Sequence, residues 1–304
     1  MKRFITNILF FFATVTIADF CIGYVGDYFQ THAKGGATRV LNDLVSKDKH
    51  DILILGSSRA HSHYDTPFLS DTLGIDVYNA GYDGNGIVLS YGILEMILDR
   101  YNPQLVIYDV EPSFDIKVYK ADNNNKRYLN LLKPYYRNNG IASIFKDISG
   151  EEWLKVHSGM MRYNTRILST ALDNIKGETP FCKGYKPLKG VYRPQEKVPL
   201  KENNGHYLVD SVKIEYMKKM IELTQSSQVP IIMVASPKYM AESSSVFDPI
   251  KHVCSEYNIP FLDYYADGIF SQENELFNEP MHLNATGARL FSRILLNDIK
   301  CQIR

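Results

Sequence analysis

The feature that most constrains the fold is an alternation of short apolar runs with longer segments whose apolar residues recur at helical spacing. The expected strands, in which most residues are apolar, occupy residues 51–55, 75–78 and 105–110, and the helical segments 64–73 and 87–100 lie between them. Strands separated by helices in this order form parallel sheets, because the connection between two parallel strands must cross over the sheet. The pattern predicts an α/β fold, a three-layer α/β/α sandwich around a mostly parallel, doubly wound sheet.

The same rhythm returns in the last third of the chain, after a long interruption. The elements expected there are helix 210–227, strand 230–235, helix 246–257, strand 260–263 and helix 285–300. Between them and the first half, residues from about 111 to 209 contain helical patches and turn clusters but no clear strand. A long irregular stretch beside an α/β core typically shapes the substrate site. We therefore expect a mainly helical insertion into one α/β domain.

The N-terminus predicts a membrane anchor. Lys2 and Arg3 precede residues 4–25, a mostly apolar stretch that provides the ~20 residues that a bilayer crossing needs. The stretch is interrupted by Asn7, Thr14, Thr16 and Asp19. A cleaved signal peptide is the alternative, but no convincing small-x-small cleavage site follows. We favour an uncleaved transmembrane helix and linker over residues 1–28, with the α/β domain over 29–304. Positive residues stay in the cytoplasm, so the domain is expected to be extracytoplasmic, in the periplasm or at the cell surface.

Composition excludes several classes of function. Lys and Arg together number 34, as do Asp and Glu, so there is no basic excess to favour nucleic acid. The four cysteines, at 21, 182, 254 and 301, show no paired spacing that would indicate a thiolate metal site. No Gly-x-Gly-x-x-Gly and no Walker lysine follow the first apolar run, which argues against a nucleotide-binding protein. We expect no metal, no cofactor and no nucleic-acid partner.

The first apolar run ends in Gly56, Ser57, Ser58 and Arg59. In open α/β sheets, ligands bind in the crevice outside the carboxyl ends of the strands. A serine just past a glycine at such an end can present its hydroxyl and its backbone N–H to one substrate. If the chain is an enzyme, we expect its chemistry to begin at this turn.

Three blocks of sequence resemble the SGNH/GDSL hydrolase superfamily. They are Gly56-Ser57-Ser58, then Asn79-x-Gly81-x-x-Gly84, and finally Glu279-Pro280-Met281-His282. The resemblance covers the order of blocks from about residue 50 to 299, but not the insertion. With its N-terminal anchor, the chain is similar to bacterial proteins that handle acyl groups on cell-surface polysaccharides.

The resemblance implies a catalytic serine at Ser58, with His282 as its general base and Glu279 orienting the imidazole. A serine hydroxyl needs a base within hydrogen-bond reach to act as a nucleophile at neutral pH. Ser57 is the rival nucleophile, and the alignment of the blocks favours Ser58. The superfamily usually has aspartate where this chain has Glu279, and the longer side chain requires a different local geometry.

The oxyanion hole is the second departure from the superfamily. The resemblance implies donors at the backbone N–H groups of Ser58 and Gly84, but the third block, which usually ends in Gly-x-Asn-Asp, is absent. Ser113 stands near the position of the missing asparagine, and Asn85 is the other candidate replacement. We also expect Arg59 and Asn85 to contact substrate, Arg59 as an anion- or sugar-binding group at the rim of the pocket.

These observations favour a serine esterase-type enzyme that acts on O-acyl esters, with acetyl the favoured group, of a surface or exported polysaccharide. Hydrolysis and acyl transfer share every residue up to the acyl-enzyme, so both stay open. The alternative is a catalytically degenerate SGNH-like protein that binds glycan or assists a membrane O-acyltransferase. The expected partners are an acylated glycan or other small ester, the membrane, and a membrane-bound acyltransferase.

Overall fold

In the computed structural model, the chain forms two compact units. The structure describes residues 1–164, 166–175, 182–194, 207–241, 243–300 and 302. We call Lys49–Asn123 with Phe181–Arg304 the α/β unit, and Met1–Asp48 with Asn124–Pro180 the N-terminal unit. Helices and strands are numbered in chain order, and each unit is described by itself.

The α/β unit is built on a five-stranded parallel sheet with the order β2-β1-β3-β4-β5. The strands are β1 (Ile52–Gly56), β2 (Val77–Asn79), β3 (Leu105–Asp109), β4 (Ile231–Ala235) and β5 (Phe261–Asp263). Every residue of β1, β3 and β4 is buried, as expected for strands covered on both faces. The predicted α/β sandwich with a parallel, doubly wound sheet is confirmed.

Helices cover both faces of the sheet. They are α3 (Ser58–His63), α4 (Thr66–Leu73), α5 (Ile87–Leu98), α6 (Pro112–Asp115), α11 (Ser211–Ser226), α12 (Asp248–Glu256) and α13 (Ala285–Ile299). Short 3₁₀ helices at Lys120–Asp122, Ser245–Phe247 and Asn274–Leu276 complete the connections. Helix α5 packs against α11, and α13 packs against α3 and α4. Ile52 and Ile54 of β1 share a core with Phe291 and Leu295 of α13.

The predicted helix over residues 64–73 begins later than expected, and a separate short helix precedes it. Asp65 caps α4 by accepting a hydrogen bond from the Phe68 N–H (3.1 Å), and a proline lies in its first turn. Helix α3 begins at Ser58, directly after β1. The turn expected after the first strand is therefore the amino end of a helix.

A two-stranded antiparallel hairpin near the C-terminus was not predicted. It pairs β6 (Phe277–Glu279) with β7 (His282–Leu283), and Glu279 lies directly opposite His282. Strands this short carry too little periodicity to be recognised in a sequence. The hairpin leads into α13, whose N-cap Asn284 accepts hydrogen bonds from the Thr286 and Gly287 N–H groups, both 3.0 Å.

The described residues of the N-terminal unit form helices joined by turns, without a strand. It contains α1 (Lys2–Thr31), α2 (Gly36–Ser46), α7 (Asn139–Ile148), α8 (Gly150–Lys155), α9 (Gly159–Tyr163) and α10 (Ile167–Asp173), with 3₁₀ turns at Lys126–Leu129 and Lys133–Tyr135. Helix α1 is long and apolar enough to cross a membrane. Much of the predicted insertion, residues 124–180, belongs to this unit.

Candidate active site

Three side chains from two distant parts of the chain form a hydrogen-bonded series in the α/β unit. The Ser58 Oγ lies 2.7 Å from the His282 Nε2, and the His282 Nδ1 is hydrogen-bonded to the Glu279 carboxylate. The two ring nitrogens therefore face a hydroxyl on one side and a carboxylate on the other. This is the geometry in which a base takes a serine proton while a carboxylate fixes the tautomer of the ring.

Ser58 owes its position to the tight turn between β1 and α3. Gly56 ends β1 at φ +140°, and a Cβ there would lie 2.6 Å from the Asp109 carbonyl oxygen. Ser57 is fully buried and caps α3, its Oγ accepting from the Arg59 N–H at 3.4 Å. Ser58 is the first residue of the helix, where the backbone N–H has no partner within the helix. Of the two serines, the structure presents Ser58 to His282.

The hairpin positions the other two groups. Because Glu279 and His282 are paired across β6 and β7, the longer glutamate side chain spans the distance to the imidazole. The other carboxylate oxygen of Glu279 accepts from the Met281 N–H at 3.2 Å. Burial acts to raise the pKa of Glu279, but the hydrogen bonds from His282 and Met281 outweigh it and hold that pKa below its ordinary value. The Glu279 carboxylate is therefore ionised at neutral pH.

The glycine-rich loop after β2 is fixed beside α3. Asn79 is buried and donates from Nδ2 to the Ala60 carbonyl oxygen (2.7 Å), while its Oδ1 accepts from the Gly81 N–H (3.0 Å). A Cβ at Gly81 would lie 2.6 Å from the His61 backbone nitrogen, so only glycine allows this approach. Gly84 follows in the same loop at φ +69°, a left-handed conformation that favours glycine.

An ionic cluster closes this loop at the surface. The Asp83 carboxylate bonds the His61 Nδ1 at 2.8 Å and the Lys186 Nζ at 2.6 Å. The His61 hydrogen bond, with Lys186, holds the pKa of Asp83 well below its usual range. Asn85 is half-buried next to the cluster and donates to the Asp83 carbonyl oxygen at 3.0 Å. These contacts order the segment that carries Gly84 and Asn85.

The prediction that Arg59 contacts substrate at the rim of the pocket does not fit the structure. Arg59 is only 1% exposed. Its guanidinium donates to the Ser236 carbonyl oxygen and, from Nη2, to the Ser236 Oγ at 3.0 Å, and it lies 5.2 Å from the centre of the Tyr265 ring. As the second residue of α3, Arg59 points back into the protein while Ser58 faces His282. Its role here is to join α3 to the residue that follows β4.

A buried polar network lies behind the series of three side chains, and it was not foreseen from the sequence. The Ser236 Oγ is 2.9 Å from both the Asp109 carboxylate and the His63 Nδ1. The His63 Nε2 accepts from the backbone N–H of Leu283, the residue after His282, at 3.1 Å. Asp109 and Ser236 stand at the carboxyl ends of neighbouring strands. That position was the sequence signal that could have identified them.

The His63 side chain in this network is neutral. Burial, the charge of Arg59 and the nearby His282 together lower the pKa of His63 well below its ordinary value. The Nε2 is an acceptor, so the proton resides on Nδ1 and is donated to Ser236. Burial raises the pKa of Asp109 to about 6 against the opposing charge of Arg59. His63 thereby connects the strand ends to the backbone beside His282.

Ser113 is less suited to an oxyanion hole than the sequence suggested. Its N–H donates to the Glu111 carboxylate at 2.8 Å, and its carbonyl oxygen accepts from the Lys213 Nζ at 3.0 Å. Glu111 caps helix α6 in this way, which takes up the backbone donor. Only the Ser113 hydroxyl is left to take the place of the missing asparagine.

Among the residues that the structure describes, no cluster of three or more His, Cys, Asp or Glu side chains is placed to hold a metal ion. His61 and His63 are two residues apart in the sequence, but their side chains lie in different environments and make different contacts. His61 bonds the exposed Asp83, whereas His63 is completely buried.

Comparisons with known proteins find similarity only in solved structures. No protein-family model matches the chain, and no curated protein matches it. A proposed acylhydrolase from Bacteroides fragilis is 12% identical with a TM-score of 0.45, covering 88% of this chain and 98% of its own. A GDSL-like lipase from Bacteroides thetaiotaomicron is also 12% identical, with a TM-score of 0.44 and coverage of 90% and 100%.

A third similar structure is AlinE4, an esterase of the SGNH-hydrolase family. It is 11% identical to this chain with a TM-score of 0.36, covering 85% of this chain and 100% of its own. The chemistry of the site is derived from its own contacts.

Proposed function

We propose that the chain is a serine esterase-type enzyme of the SGNH class, with Ser58 as nucleophile, His282 as general base and Glu279 as the group that orients the base. The observation that carries the proposal is the continuous series from the Ser58 Oγ through both nitrogens of His282 to the Glu279 carboxylate. His282 is partly exposed to solvent, so water could satisfy its ring nitrogens. Bonding one nitrogen to a hydroxyl and the other to a carboxylate therefore points to catalysis rather than to a structural role.

The reaction follows from these contacts. The Ser58 Oγ bonds to the acyl carbon as its proton passes to the His282 Nε2, and Glu279 stabilises the imidazolium that forms. The tetrahedral oxyanion collapses, the bond between acyl carbon and ester oxygen breaks, and the departing alcohol takes the proton from His282. Water then attacks the acyl-enzyme with His282 again as base, which releases the acid and restores Ser58. A sugar hydroxyl in place of that water would make the enzyme a transferase.

The oxyanion would be stabilised by the backbone N–H of Ser58 and by the N–H of Gly84. Loss of one such donor typically lowers the rate ~10²–10³-fold. With the Ser113 amide bonded to Glu111, a third donor would have to be the Ser113 hydroxyl or Asn85. A hole of two donors favours slow turnover of simple esters.

For the substrate, we propose O-acyl esters, with acetyl as the favoured group, on a surface or exported polysaccharide. Two features support a large acceptor outside the cytoplasm. The side chains of His282 and Glu279 are 24% and 42% exposed, so the site is open to solvent. Helix α1 with Lys2 and Arg3 at its start fits an anchor whose basic end stays in the cytoplasm.

The test is release of p-nitrophenol from p-nitrophenyl acetate, and of acetate from an O-acetylated polysaccharide, by the full-length chain in detergent. We expect the parent chain to hydrolyse at least one of the two esters, and Ser58→Ala to hydrolyse neither. Acetate appearing on a second glycan instead of in solution would identify transfer.

A second candidate is a catalytically degenerate protein that binds acylated glycan or assists a membrane O-acyltransferase. The specific observation in its favour is the engaged amide of Ser113, which stands near the position of the superfamily's oxyanion asparagine. Calorimetric binding of the acetylated polysaccharide without acetate release, unchanged in Ser58→Ala, would favour this candidate over the esterase.

Changing Glu279 to glutamine should lower kcat/KM by about 10²–10⁴-fold, because the neutral amide no longer fixes the tautomer or stabilises the imidazolium. Glu279→Asp keeps the charge and serves as the matched control. A kcat/KM of Glu279→Gln equal to that of the parent, or a loss as large in Glu279→Asp as in Glu279→Gln, would contradict the assigned role.

Changing His63 to alanine should lower kcat about 10- to 100-fold with little change in KM, because the backbone beside His282 loses its acceptor and shifts. The buried Leu283 N–H is also left unpaired, which costs ~1–3 kcal/mol of unfolding free energy. The matched control for stability is His61→Ala, whose surface contact with the Asp83 carboxylate contributes about 0–1 kcal/mol. Equal thermal shifts in the two variants would contradict the account of the network.

A further inference from the structure

Helix α1 changes its surroundings along its length. Its large apolar residues before Asp19 are exposed, whereas its buried residues, Gly23, Gly26 and Gln30, all lie in its second half. There α1 packs against α9 and α10 of the same unit. If the first half of α1 is surrounded by lipid, as proposed above, the residues of α1 that contact α9 and α10 fix the depth of these two helices in the bilayer.

Asp19 fixes that depth. Its carboxylate accepts from the Ser158 hydroxyl at 2.5 Å and from the N–H groups of Gly159 and Met160 at 3.0 and 2.9 Å. Asp19 thus caps helix α9 from the side of α1. It lies about 22 Å along the helix axis from Phe4 at 1.5 Å per residue, and the hydrocarbon core of a bilayer is ~30 Å thick. The amino end of α9 is therefore at the level of the outer leaflet.

The contact between the two helices is of a kind that suits a lipid environment. A Cβ on Gly159 would lie 2.4 Å from the Gly23 Cα, and a Cβ on Gly26 would lie 2.2 Å from the Tyr163 ring. Small residues that allow close backbone approach are typical of helix association within membranes. The polar capping groups of α9 are satisfied by Asp19, as a low-dielectric environment requires.

In helix α10 and the turn after it, two polar residues are buried and large apolar residues are exposed, the reverse of a surface helix in a water-soluble domain. The polar residues Thr170 and Asp173 are buried, and Asp173 bonds the Thr38 hydroxyl at 2.8 Å. The large outward residues of this segment, next to the exposed Ser169, are apolar and lie at positions i, i+4 and i+7. They are Leu168, Leu172 and Ile175, which are 71%, 46% and 83% exposed.

Helix α9 carries two further exposed apolar residues, Met160 and Met161, which are 44% and 49% exposed. Tyr24 and Tyr28 are exposed on α1, the helix that α9 and α10 contact, and tyrosine is enriched where membrane meets water. Exposed apolar residues are therefore present on α1 and on both of these helices. We call Met160, Met161, Leu168, Leu172 and Ile175 the apolar surface of α9 and α10.

We propose that the apolar surface of α9 and α10 is a second membrane contact, at the outer face of the bilayer beside α1. The inference rests on the anchoring role proposed for α1. The occupant is lipid because α9 begins beside Asp19, at a depth where α1 would be surrounded by lipid. Asn174, the residue after α10, donates to the Phe29 carbonyl oxygen at 2.7 Å, and Phe29 lies about 37 Å along α1 from Phe4, at the outer headgroup level. An element with apolar residues outward and polar residues inward is stable in that position. Two contacts, unlike a single helix, would restrict how the N-terminal unit rotates on the membrane.

The test places single tryptophans in the full-length chain, reconstituted in phosphatidylglycerol vesicles whose acyl chains are brominated near the ester end. Trp153 is the only native tryptophan and is first changed to phenylalanine. Reporters are Leu168→Trp and Ile175→Trp. The matched control is Ser143→Trp, at an exposed polar position of α7 in the same unit. Phe11→Trp reports insertion of α1 itself.

Bromine should quench the emission at positions 168, 175 and 11, and aqueous iodide should quench only position 143. Adding Leu168→Asp and Leu172→Asp should restore iodide quenching of Ile175→Trp while leaving position 11 unchanged. If position 11 is quenched by bromine and positions 168 and 175 by iodide, the surface is exposed to water and free to bind a protein, and the inference is wrong. If position 11 is also open to iodide, the anchor proposal fails with it.

Discussion

Ser58→Ala should abolish ester hydrolysis, with a loss of about 10⁴- to 10⁶-fold in kcat, because it removes the hydroxyl proposed to form the acyl-enzyme. The hydroxyl is half-exposed and its hydrogen bond is to His282. Its removal should therefore leave the melting temperature close to that of the parent. The measurement is initial rate on p-nitrophenyl acetate with the full-length chain, accompanied by thermal unfolding of the same preparations.

The neighbouring serine provides the matched control. Ser57→Ala removes the buried cap of α3, which should cost about 1 kcal/mol of unfolding free energy while activity persists. The two variants therefore separate chemistry from stability: one is inactive and stable, the other active and less stable. The reverse pattern would transfer the nucleophile to Ser57 and overturn the account of the site.

His282→Ala is the second large effect expected, with kcat again about 10⁴- to 10⁶-fold lower. Without the imidazole, the Ser58 hydroxyl keeps its proton, and the Glu279 carboxylate has no ring to orient. Because the three groups act as a unit, the variant that combines Ser58→Ala with His282→Ala should be no slower than either single variant.

The contradicting outcome is additivity. If the two losses multiply, the serine and the histidine contribute independently, and the hydrogen bond between them has no catalytic meaning. Added imidazole offers a second readout for His282→Ala. It should restore part of the activity in this variant and none in Ser58→Ala.

The fold could be predicted because its signals are local. The segments 51–55 and 105–110 are short and mostly apolar, and the structure contains β1 and β3 at these places. The position of Ser58 at the carboxyl end of β1 follows from the same signal together with Gly56. Strands that are apolar on both faces occur mainly in parallel sheets covered by helices, so a sequence pattern of this kind constrains the topology strongly.

The supporting contacts could not be predicted, because they depend on directions that only the assembled fold sets. Ser58 and Arg59 are adjacent on a short helix, and their side chains leave it in different directions, one to His282 and one to Ser236. Likewise, nothing in the sequence shows that the Ser113 amide is used to cap α6 through Glu111. A motif identifies residue types, whereas burial and hydrogen bonds decide which of them a ligand can reach.

Asp19 shows the same limit in the N-terminal segment. In the sequence it is a charge that interrupts an apolar run, which weakens the evidence for an anchor. In the structure its carboxylate is bonded to Ser158 and to the N–H groups that begin α9. The interruption is a polar contact between two helices more than a hundred residues apart in the chain.

The central claim is that Ser58 is an activated nucleophile, and its most direct measurement is covalent labelling by a fluorophosphonate, followed by intact mass and peptide mapping. The predicted result is a single adduct on the peptide that contains Ser58, absent in Ser58→Ala and strongly slowed in His282→Ala. Ser57→Ala should label at the rate of the parent. An unlabelled parent chain, or an adduct on any other residue, would contradict the claim.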